Sequence, residues 1–377
     1  MASAELKEPE KALIVGISGP SSSGKTTLAR LLQRIFNGVS LDSSLPSSSS
    51  LSSSSAQDDT NGDDNGDKLN TFIIHEDDFY YPDDQIPYTT TPSGKTVQDW
   101  DTSAAIDTSF LAQALSYVRV HGHLPPRLQS KEDQNEDAGP CVPDLLVTEL
   151  RREVERRIAS AAAAAAEQGS KRETLVFMEG FLLYAPPEGF EYKTTTKTKA
   201  EDVDVEQGVD DHYPTDHNIL RPVHAHIGLP LFLPAPYSTV KARREGRSGY
   251  VTIGPAPEPP TTAVNSPHEK KEQGEEREVD LEGEDDRPPQ NFWTDPPGYV
   301  DDIVWPRYVR DHAWLLIDGD GQGEKEQEGD IVQRVGEGVD VRHDVGVKVA
   351  PGKGAVSMEV VLRWAVEEVM AFYLGRE

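Results

Sequence analysis

The sequence predicts an α/β fold in which one five-stranded parallel sheet lies between two layers of helices. The first observation is a set of five short apolar segments, typical of parallel strands buried on both faces. The second is that segments with helical periodicity separate them, which favours helices on both faces of the sheet. The predicted strands cover residues 12–18, 69–75, 174–178, 225–233 and 345–349.

The first strand leads into a glycine-rich loop. Residues 19–26 read GPSSSGKT, which fits the pattern G-x-x-x-x-G-K-[ST] of a phosphate-binding loop (P-loop), and apolar residues at helical spacing follow. A strand, this loop and a helix aim backbone N–H groups at a phosphate, so the sequence predicts a nucleoside triphosphate site. Lys25 can reach the β- and γ-phosphates, and the Thr26 hydroxyl can bind Mg²⁺. The residues predicted to bind ATP in this stretch are Gly19, Pro20, Ser21, Ser22, Ser23, Gly24, Lys25, Thr26 and Thr27.

The remaining helices are predicted from periodicity, capping residues and composition. Thr102 or Ser103 can cap a helix whose apolar face includes Phe110 and Leu115. An alanine run at 161–166 favours helix in the next segment. After the helix that Thr102 or Ser103 can cap, four more helices are predicted, at residues 142–168, 237–246, 300–316 and 357–374.

Four polar segments interrupt this pattern. They are rich in serine, in aspartate and asparagine, or in proline and charged residues. Such segments cannot bury enough apolar surface to offset the entropy lost on ordering. The sequence therefore predicts one domain over residues 11–377 that carries disordered insertions at 38–68, 190–222, 252–289 and 318–344.

Composition excludes several classes of function. The net charge of −29 argues against a nucleic-acid partner or an anionic membrane surface, because phosphates select basic faces. Cys141 is the only cysteine, so an internal disulfide is impossible. The sequence contains no apolar stretch of about 18 residues that could span a bilayer and no apolar leader. An intracellular location, cytoplasmic or nuclear, is expected.

An acidic pair, Asp77 and Asp78, follows the second predicted strand. Ligands of open α/β sheets bind beyond the carboxyl ends of the strands, so the pair should face the P-loop. Asp77 could accept the proton of an attacking hydroxyl or hold that hydroxyl in line, although a capping or solvated turn is an alternative. Glu179, at the end of the third strand, could hold Mg²⁺ through water, whereas no role is assigned to His75.

Basic and aromatic residues complete the expected site. Residues 241–247 carry a lysine and three arginines, which could form a lid over the phosphates or simply a solvated helix face. Tyr80 and Trp100 could form a ligand wall or belong to the core. Phosphoryl transfer mainly needs positioning and neutralisation of the equatorial oxygens, so these elements indicate a phosphotransferase acting on a small hydroxyl acceptor.

Several further motifs resemble those of the nicotinamide riboside kinases. Beyond the P-loop they are Asp77-Asp78-Phe79-Tyr80, Trp100-Asp101, Glu179-Gly180-Phe181-Leu182-Leu183, Lys241-Ala242-Arg243-Arg244, Asp295-Pro296-Pro297-Gly298-Tyr299 and Val304-Trp305-Pro306. They are spread through the core and absent from the insertions. The resemblance implies a three-layer α/β/α P-loop kinase that uses Mg²⁺ and ATP to phosphorylate the 5′-hydroxyl of nicotinamide riboside, in a salvage route to NAD.

The resemblance also implies residue roles. Asp77 would be the proton acceptor and would lie near Mg²⁺, with Thr26 and Glu179. Arg243 and Arg247 would contact ATP, and the loop Pro351, Gly352 and Lys353 would contact adenine, with 318–319 as a rival. The residues expected to surround the substrate are Asp77, Asp78, Phe79, Tyr80, Trp100, Asp101, Arg244 and Asp295.

Two other readings stay open from the sequence. One is a different small-molecule kinase of this fold, of the uridine/cytidine or pantothenate type; the aromatic and acidic pocket and Val304-Trp305-Pro306 argue for the nicotinamide riboside kinases instead. The other is a nucleotide-dependent scaffold whose acidic insertions bind partner proteins; intact Lys25, Thr26 and Asp77 argue against it. The sequence identifies no protein partner.

Overall fold

The computed structural model describes most of the predicted core. The described residues are 10–41, 68–128, 130, 141–164, 173–188, 217–254, 281–282, 290–316, 342 and 344–375. The central parts of the four predicted insertions, at 42–67, 190–216, 255–280 with 283–289, and 318–341 with 343, lie outside the described residues.

A five-stranded parallel sheet in the order β2-β5-β1-β6-β9 forms the centre of the molecule, as predicted. Two further pairs of strands are antiparallel, β3 with β4 and β7 with β8. The strands are β1 (Ala12–Ser18), β2 (Asn70–His75), β3 (Tyr88–Thr90), β4 (Thr96–Gln98), β5 (Thr174–Gly180), β6 (Leu229–Phe232), β7 (Tyr250–Ile253), β8 (Gln290–Trp293) and β9 (Lys348–Val349).

Helices cover both faces of the sheet, which confirms the three-layer architecture. One apolar cluster joins the sheet to α1, α3 and α7, and a second joins its other face to α2, α4, α5 and α6. The helices are α1 (Lys25–Phe36), α2 (Thr108–His121), α3 (Asp144–Ala164), α4 (Arg221–His224), α5 (Tyr237–Glu245), α6 (Trp305–Leu316) and α7 (Met358–Tyr373). Among the described helices, none is both long enough and apolar enough to cross a membrane.

Several elements differ from their predicted bounds, and two of these differences have a clear local cause. Thr102 caps only a 3₁₀ turn, and α2 begins later, where the side chain of Asp107 accepts a hydrogen bond from the N–H of Phe110 at 2.9 Å. The fourth strand begins at Leu229 rather than at residue 225, because α4 and a turn occupy the preceding residues. In both places a local capping or turn interaction ends one element before the next begins.

The ends of the predicted insertions belong to the folded part of the chain. Val39 and Leu41 are buried in the core, and Ser40 pairs with Lys68 across the gap. Residues 252–253 belong to β7, which pairs antiparallel with β8. This pair of strands is called the hairpin below, although residues 254–289 separate the two strands in the chain. Chain segments that the composition assigns to insertions therefore complete the core and one wall of the site.

Candidate active site

A cleft of about 510 Å³ lies at the carboxyl ends of the sheet strands. Its walls come from the P-loop, the ends of β2 and β5, residues 100–101, α5 and the hairpin. The predicted site residues that line it are Ser21, Ser22, Gly24, Lys25, Thr26, Thr27, Asp77, Tyr80, Trp100, Asp101, Glu179, Arg243, Arg244 and Arg247. The sheet thus brings together residues from many separate chain segments.

The P-loop has the backbone shape that its glycines allow. Gly19 has a φ of 151°, and a Cβ at that position would lie 2.3 Å from the carbonyl oxygen of Leu233. Gly24 has a φ of 98° at the start of α1. No L side chain fits the first position, because backbone blocks it. The hydroxyls of Ser22 and Ser23 are buried and have no hydrogen-bond partner among the described residues, which suits a loop shaped to receive phosphate oxygens.

Lys25 is held inside this loop. Its Nζ donates a hydrogen bond to the carbonyl oxygen of Pro20 at 3.0 Å. Burial lowers the pKa of Lys25, while the carboxylates of Glu179 and Asp77 oppose that change. A lysine in this position is oriented by the loop and needs little reorganisation to meet a phosphate.

Glu179, Thr26 and His75 form a hydrogen-bonded group at the ends of β5, α1 and β2. The Thr26 hydroxyl donates to Glu179 Oε1 at 3.1 Å, and His75 Nδ1 lies 2.7 Å from the same oxygen. Burial would raise the pKa of Glu179, but His75, Lys25 and Thr26 outweigh it and hold this pKa below its usual value. His75, to which the sequence assigns no role, pairs with Glu179 in the sheet register.

This group fits Mg²⁺ by its chemistry. Hydroxyl and carboxylate oxygens are the ligands that Mg²⁺ prefers, and it usually takes the rest of its ligands from water and substrate phosphates. Among the described residues, no three or more His, Cys, Asp and Glu side chains converge as a complete metal site. Oxygen ligands from Thr26 and Glu179, completed by water and by the phosphates of a nucleotide, would therefore suit Mg²⁺.

Asp77 lies in a 3₁₀ turn (Glu76–Phe79) that directly follows β2. Burial raises the pKa of Asp77 to about 6, Glu179 adds to the rise, and Lys25 opposes it. A carboxylate whose pKa is raised is a stronger base, which suits a group that accepts a proton. The preceding residue, Glu76, accepts hydrogen bonds from the N–H groups of Phe181 at 2.6 Å and Leu182 at 3.0 Å, which ties the ends of β2 and β5 together.

Aromatic side chains form the wall opposite the P-loop. The ring of Trp100 lies 5.3 Å from that of Tyr80 and 5.6 Å from that of Trp293, and the ring of Phe181 lies 6.4 Å from Tyr80. Tyr80 and Trp100 both line the cleft, and Trp100 is also buried in an apolar cluster against which Tyr80 packs. Trp293 and Phe181 were not predicted, although each stands in or beside a motif that the sequence analysis identifies.

Arg244 holds two carboxylates at the base of this wall. Its guanidinium donates to both oxygens of Asp101, at 2.9 and 3.0 Å, and to both oxygens of Asp295, at 2.7 and 3.3 Å. Trp293 donates a further bond to Asp295 at 2.9 Å. Burial raises the pKa of Asp101 to about 6, and Arg244 opposes that rise. Arg244 is itself buried, so the solvated-face reading does not describe it.

The other basic residues of α5 and the turn after it have different surroundings. Arg243 and Arg247 are exposed at the rim of the cleft, and Arg243 donates to the carbonyl oxygen of Ser22 in the P-loop at 3.1 Å. Lys241 instead binds Asp301, 2.6 Å away. Arg243 therefore contacts the P-loop, Arg247 lies against the ring of Tyr250, and Arg244 binds two carboxylates.

Several predicted site residues lie outside the cleft lining. Phe79 is packed in the core with its ring 5.0 Å from that of Phe110, and Asp78 is buried. Gly19, Pro20 and Ser23 shape the loop behind the cleft, and Asp295 accepts hydrogen bonds from Arg244. The 3₁₀ turn after β2 directs Asp77 and Phe79 to different surroundings, which the sequence alone does not reveal.

The predicted adenine loop lies at the same edge of the sheet. Pro351, Gly352 and Lys353 form an exposed turn (Pro351–Gly354) directly after β9, outside the lining of the cleft. A Cβ on Gly354 would lie 2.4 Å from the carbonyl oxygen of Pro234, so the turn packs closely on the segment after β6. The rival segment, 318–319, lies outside the described residues.

Comparison with known proteins gives three relatives that share one description. The chain is 27% identical over 313 residues to a nicotinamide riboside kinase of Schizosaccharomyces pombe, covering 83% of this chain and 84% of the relative. It is 23% identical over 304 residues to that of Eremothecium gossypii (81% and 77%) and 21% identical over 315 residues to that of Saccharomyces cerevisiae (83% of each). No family model matches the chain. The relatives confirm the resemblance to the nicotinamide riboside kinase family that the motifs predict.

Proposed function

We propose that this protein is an ATP-dependent kinase that phosphorylates the 5′-hydroxyl of nicotinamide riboside and yields nicotinamide mononucleotide. The observation that carries the proposal is the cleft itself. Its P-loop side offers Lys25 and Thr26, its other side offers aromatic rings and carboxylates, and Asp77 lies at the boundary. Nicotinamide riboside carries a fixed positive charge on its flat ring, and this acidic, aromatic wall suits a flat cation.

The reaction assigns each side of the cleft a task. Asp77 accepts the proton of the 5′-hydroxyl, whose oxygen forms a bond to the γ-phosphorus of ATP while the bond to the β–γ bridging oxygen breaks and ADP leaves. Lys25 neutralises charge on the transferred group, and Arg243 and Arg247 add positive charge at the rim. Phosphoryl transfer depends mostly on such positioning and neutralisation.

Mg²⁺ is the metal that the residues fit, and Thr26, Glu179 and Asp77 would hold it, directly or through water. When bound, it neutralises phosphate charge and orients the donor. The chain's own contribution is an ionised, hydrogen-bonded Glu179 that His75 and Thr26 keep in place. Because ATP is the donor, the proposal places the enzyme inside the cell, in the cytoplasm or the nucleus.

The sugar and base have separate contacts in this proposal. Asp101, fixed by Arg244, accepts hydrogen bonds from the ribose hydroxyls, while Tyr80 and Trp100 contact the nicotinamide ring. A cation over an aromatic face gains about 0.5–2 kcal/mol, depending on desolvation. The charged ring should therefore be preferred over an uncharged ring of similar size.

The deciding assay uses purified full-length protein, Mg²⁺-ATP and three acceptors: nicotinamide riboside, its uncharged reduced form, and uridine. We expect the highest kcat/KM for nicotinamide riboside and phosphate only on the 5′-oxygen. If uridine were the best substrate, a uridine/cytidine-type kinase would replace this proposal. Activity on none of the ribosides in a folded protein would favour the scaffold reading.

A further inference from the structure

The hairpin supplies part of the cleft but cannot be stable by itself. It consists of two strands of four residues each, and such isolated hairpins are marginally stable in water. Tyr250, Val251, Thr252 and Trp293 from it line the cleft. Its position must therefore be determined by contacts with the rest of the domain.

Asp83 provides such a contact. It lies in a 3₁₀ turn (Asp83–Gln85) and only 2% of its surface is exposed. Its Oδ2 accepts a hydrogen bond from the Thr252 hydroxyl at 2.9 Å and another from Asn291 Nδ2 at 2.6 Å. Thr252 and Asn291 are directly opposite each other in the two strands, so one carboxylate oxygen joins both strands of the hairpin.

The end of β7 also lies close to the same turn. A Cβ on Gly254 would lie 2.9 Å from the backbone nitrogen of Asp83 and 3.0 Å from the Cβ of Pro82, so the end of β7 packs directly against this turn. Hydrogen bonds to an ionised acceptor are stronger than neutral ones.

Asp83 also contacts the segment that carries the acceptor side of the cleft. Its carbonyl oxygen accepts a bond from Gln98 Nε2 at 2.5 Å. Gln98 is the last residue of β4, which leads directly to Trp100 and Asp101. One residue thus links the segment that carries these two side chains to the hairpin that carries their neighbours.

The end of the hairpin away from Asp83 carries two aromatic rings that contact the acceptor side of the cleft. The first strand pair is Tyr250 with Trp293. The Trp293 ring lies against Trp100, and the Tyr250 ring lies 5.3 Å from the guanidinium carbon of Arg244 and 5.1 Å from that of Arg247. A shift of the hairpin would therefore move the aromatic wall and the arginine contacts together.

We propose that Asp83 is a positioning residue that seats the hairpin against the acceptor side of the cleft and thereby determines affinity for the nucleoside. This inference rests on the proposed function only for the identity of the acceptor. Asp83 touches neither the P-loop nor Asp77 in any described contact, so its effect should fall on acceptor binding and not on the phosphoryl-transfer step.

The experiment compares Asp83→Ala and Asp83→Asn with Asp84→Ala, which removes an exposed carboxylate from the adjacent position. In Asp83→Ala, amide hydrogen exchange should accelerate in residues 250–253 and 290–293 while α1 keeps its protection. The acceptor KM should rise about tenfold, the loss expected for one charged hydrogen-bond acceptor, with kcat and the KM for ATP within about threefold. Asp83→Asn keeps an oxygen acceptor and should fall between these values, and Asp84→Ala should match the wild type.

A second route avoids dependence on one variant. Thr252→Val removes a donor from the hairpin side, and a double-mutant cycle with Asp83→Ala, which removes the acceptor, should show strong non-additivity in acceptor KM and in exchange. Unchanged exchange in the hairpin of Asp83→Ala would overturn the proposal, and so would equal losses in kcat and in the KM values of both substrates. If the wild type phosphorylated no riboside, the proposed function would fail, and hydrogen exchange alone would still decide the role of Asp83.

Discussion

The two sides of the cleft are built in different ways. The donor side is one continuous segment, in which β1, the P-loop and α1 follow one another and carry Lys25 and Thr26, and distant residues such as Glu179 add contacts to it. The acceptor side joins residues far apart in the chain, as when Arg244 binds Asp101 and Asp295. A local motif resists change elsewhere, whereas the acceptor side depends on every link that holds it together.

The largest effect is expected at Asp77, where the donor and acceptor sides of the cleft meet. Asp77→Asn keeps the shape of the side chain but removes the base, and we expect kcat to fall by roughly 10²–10⁴-fold. Lys25→Ala should have an effect of similar size through lost charge neutralisation. Initial rates with nicotinamide riboside measure both effects, and Asp84→Ala is the control for loss of a carboxylate. Near-normal turnover by folded Asp77→Asn protein would remove Asp77 from its role.

Arg244→Lys tests the long-range construction of the acceptor side. Lysine keeps the charge but cannot make the planar, forked contacts to two carboxylates. We expect the acceptor KM to rise by about ten- to a hundredfold, because buried charges lose hydrogen bonds worth roughly 1.5–3 kcal/mol each. Arg243→Lys, at the exposed rim, should leave the acceptor KM unchanged. Equal acceptor KM values for the two variants would contradict the assigned roles.

The pH dependence of the reaction should reveal Asp77 as the base. Because burial raises the pKa of Asp77 to about 6, the carboxylate is ionised at pH 7 and becomes protonated as the pH falls. We expect kcat to decline below about pH 6, by about tenfold for each further pH unit, and kcat at saturating nucleoside is measured because Asp101, which contacts the nucleoside, also has its pKa raised to about 6. The residual activity of Asp77→Asn should lack this limb. The same limb in both proteins would assign the titration to another group.

The specificity of the aromatic wall should be a smaller effect. Trp100→Ala should reduce the preference for nicotinamide riboside over its uncharged reduced form by about two- to thirtyfold, the range for one cation–aromatic contact. Asp101→Ala should instead impair all ribosides alike, since each presents the same hydroxyls. Competition between the two forms of the substrate measures the ratio directly. An unchanged ratio in Trp100→Ala would mean that the ring does not recognise charge.

The same difference explains how far the sequence could predict the structure. The sheet, the P-loop and the position of Asp77 follow from contiguous patterns, because strand ends and glycine-rich turns have local signatures. Trp293 and Asp83 have no such signature. Only the folded hairpin brings Trp293 to the cleft, and only the folded structure brings Asp83 into contact with the hairpin. Phe79 stands in a predicted substrate motif yet lies in the core, because the turn after β2 directs it toward Phe110.

The smallest effect should come from shortening the first insertion, provided that its folded ends remain. Ser40 pairs with Lys68, so the ends of the segment are adjacent and a short Gly/Ser linker can replace residues 42–67. The cost of closing a loop changes slowly with its length, and we expect kcat and both KM values within a few-fold of the wild type.

Replacing 39–67 instead removes Val39 and Leu41, and losing two buried aliphatic side chains should cost about 2–5 kcal/mol each in the free energy of unfolding. Thermal unfolding and kinetics of the two deletion variants, measured side by side, distinguish these expectations. If both variants melted like the wild type, the packing of Val39 and Leu41 would not contribute to stability. If replacing only residues 42–67 lost activity, the donor side would depend on more than its own contiguous segment.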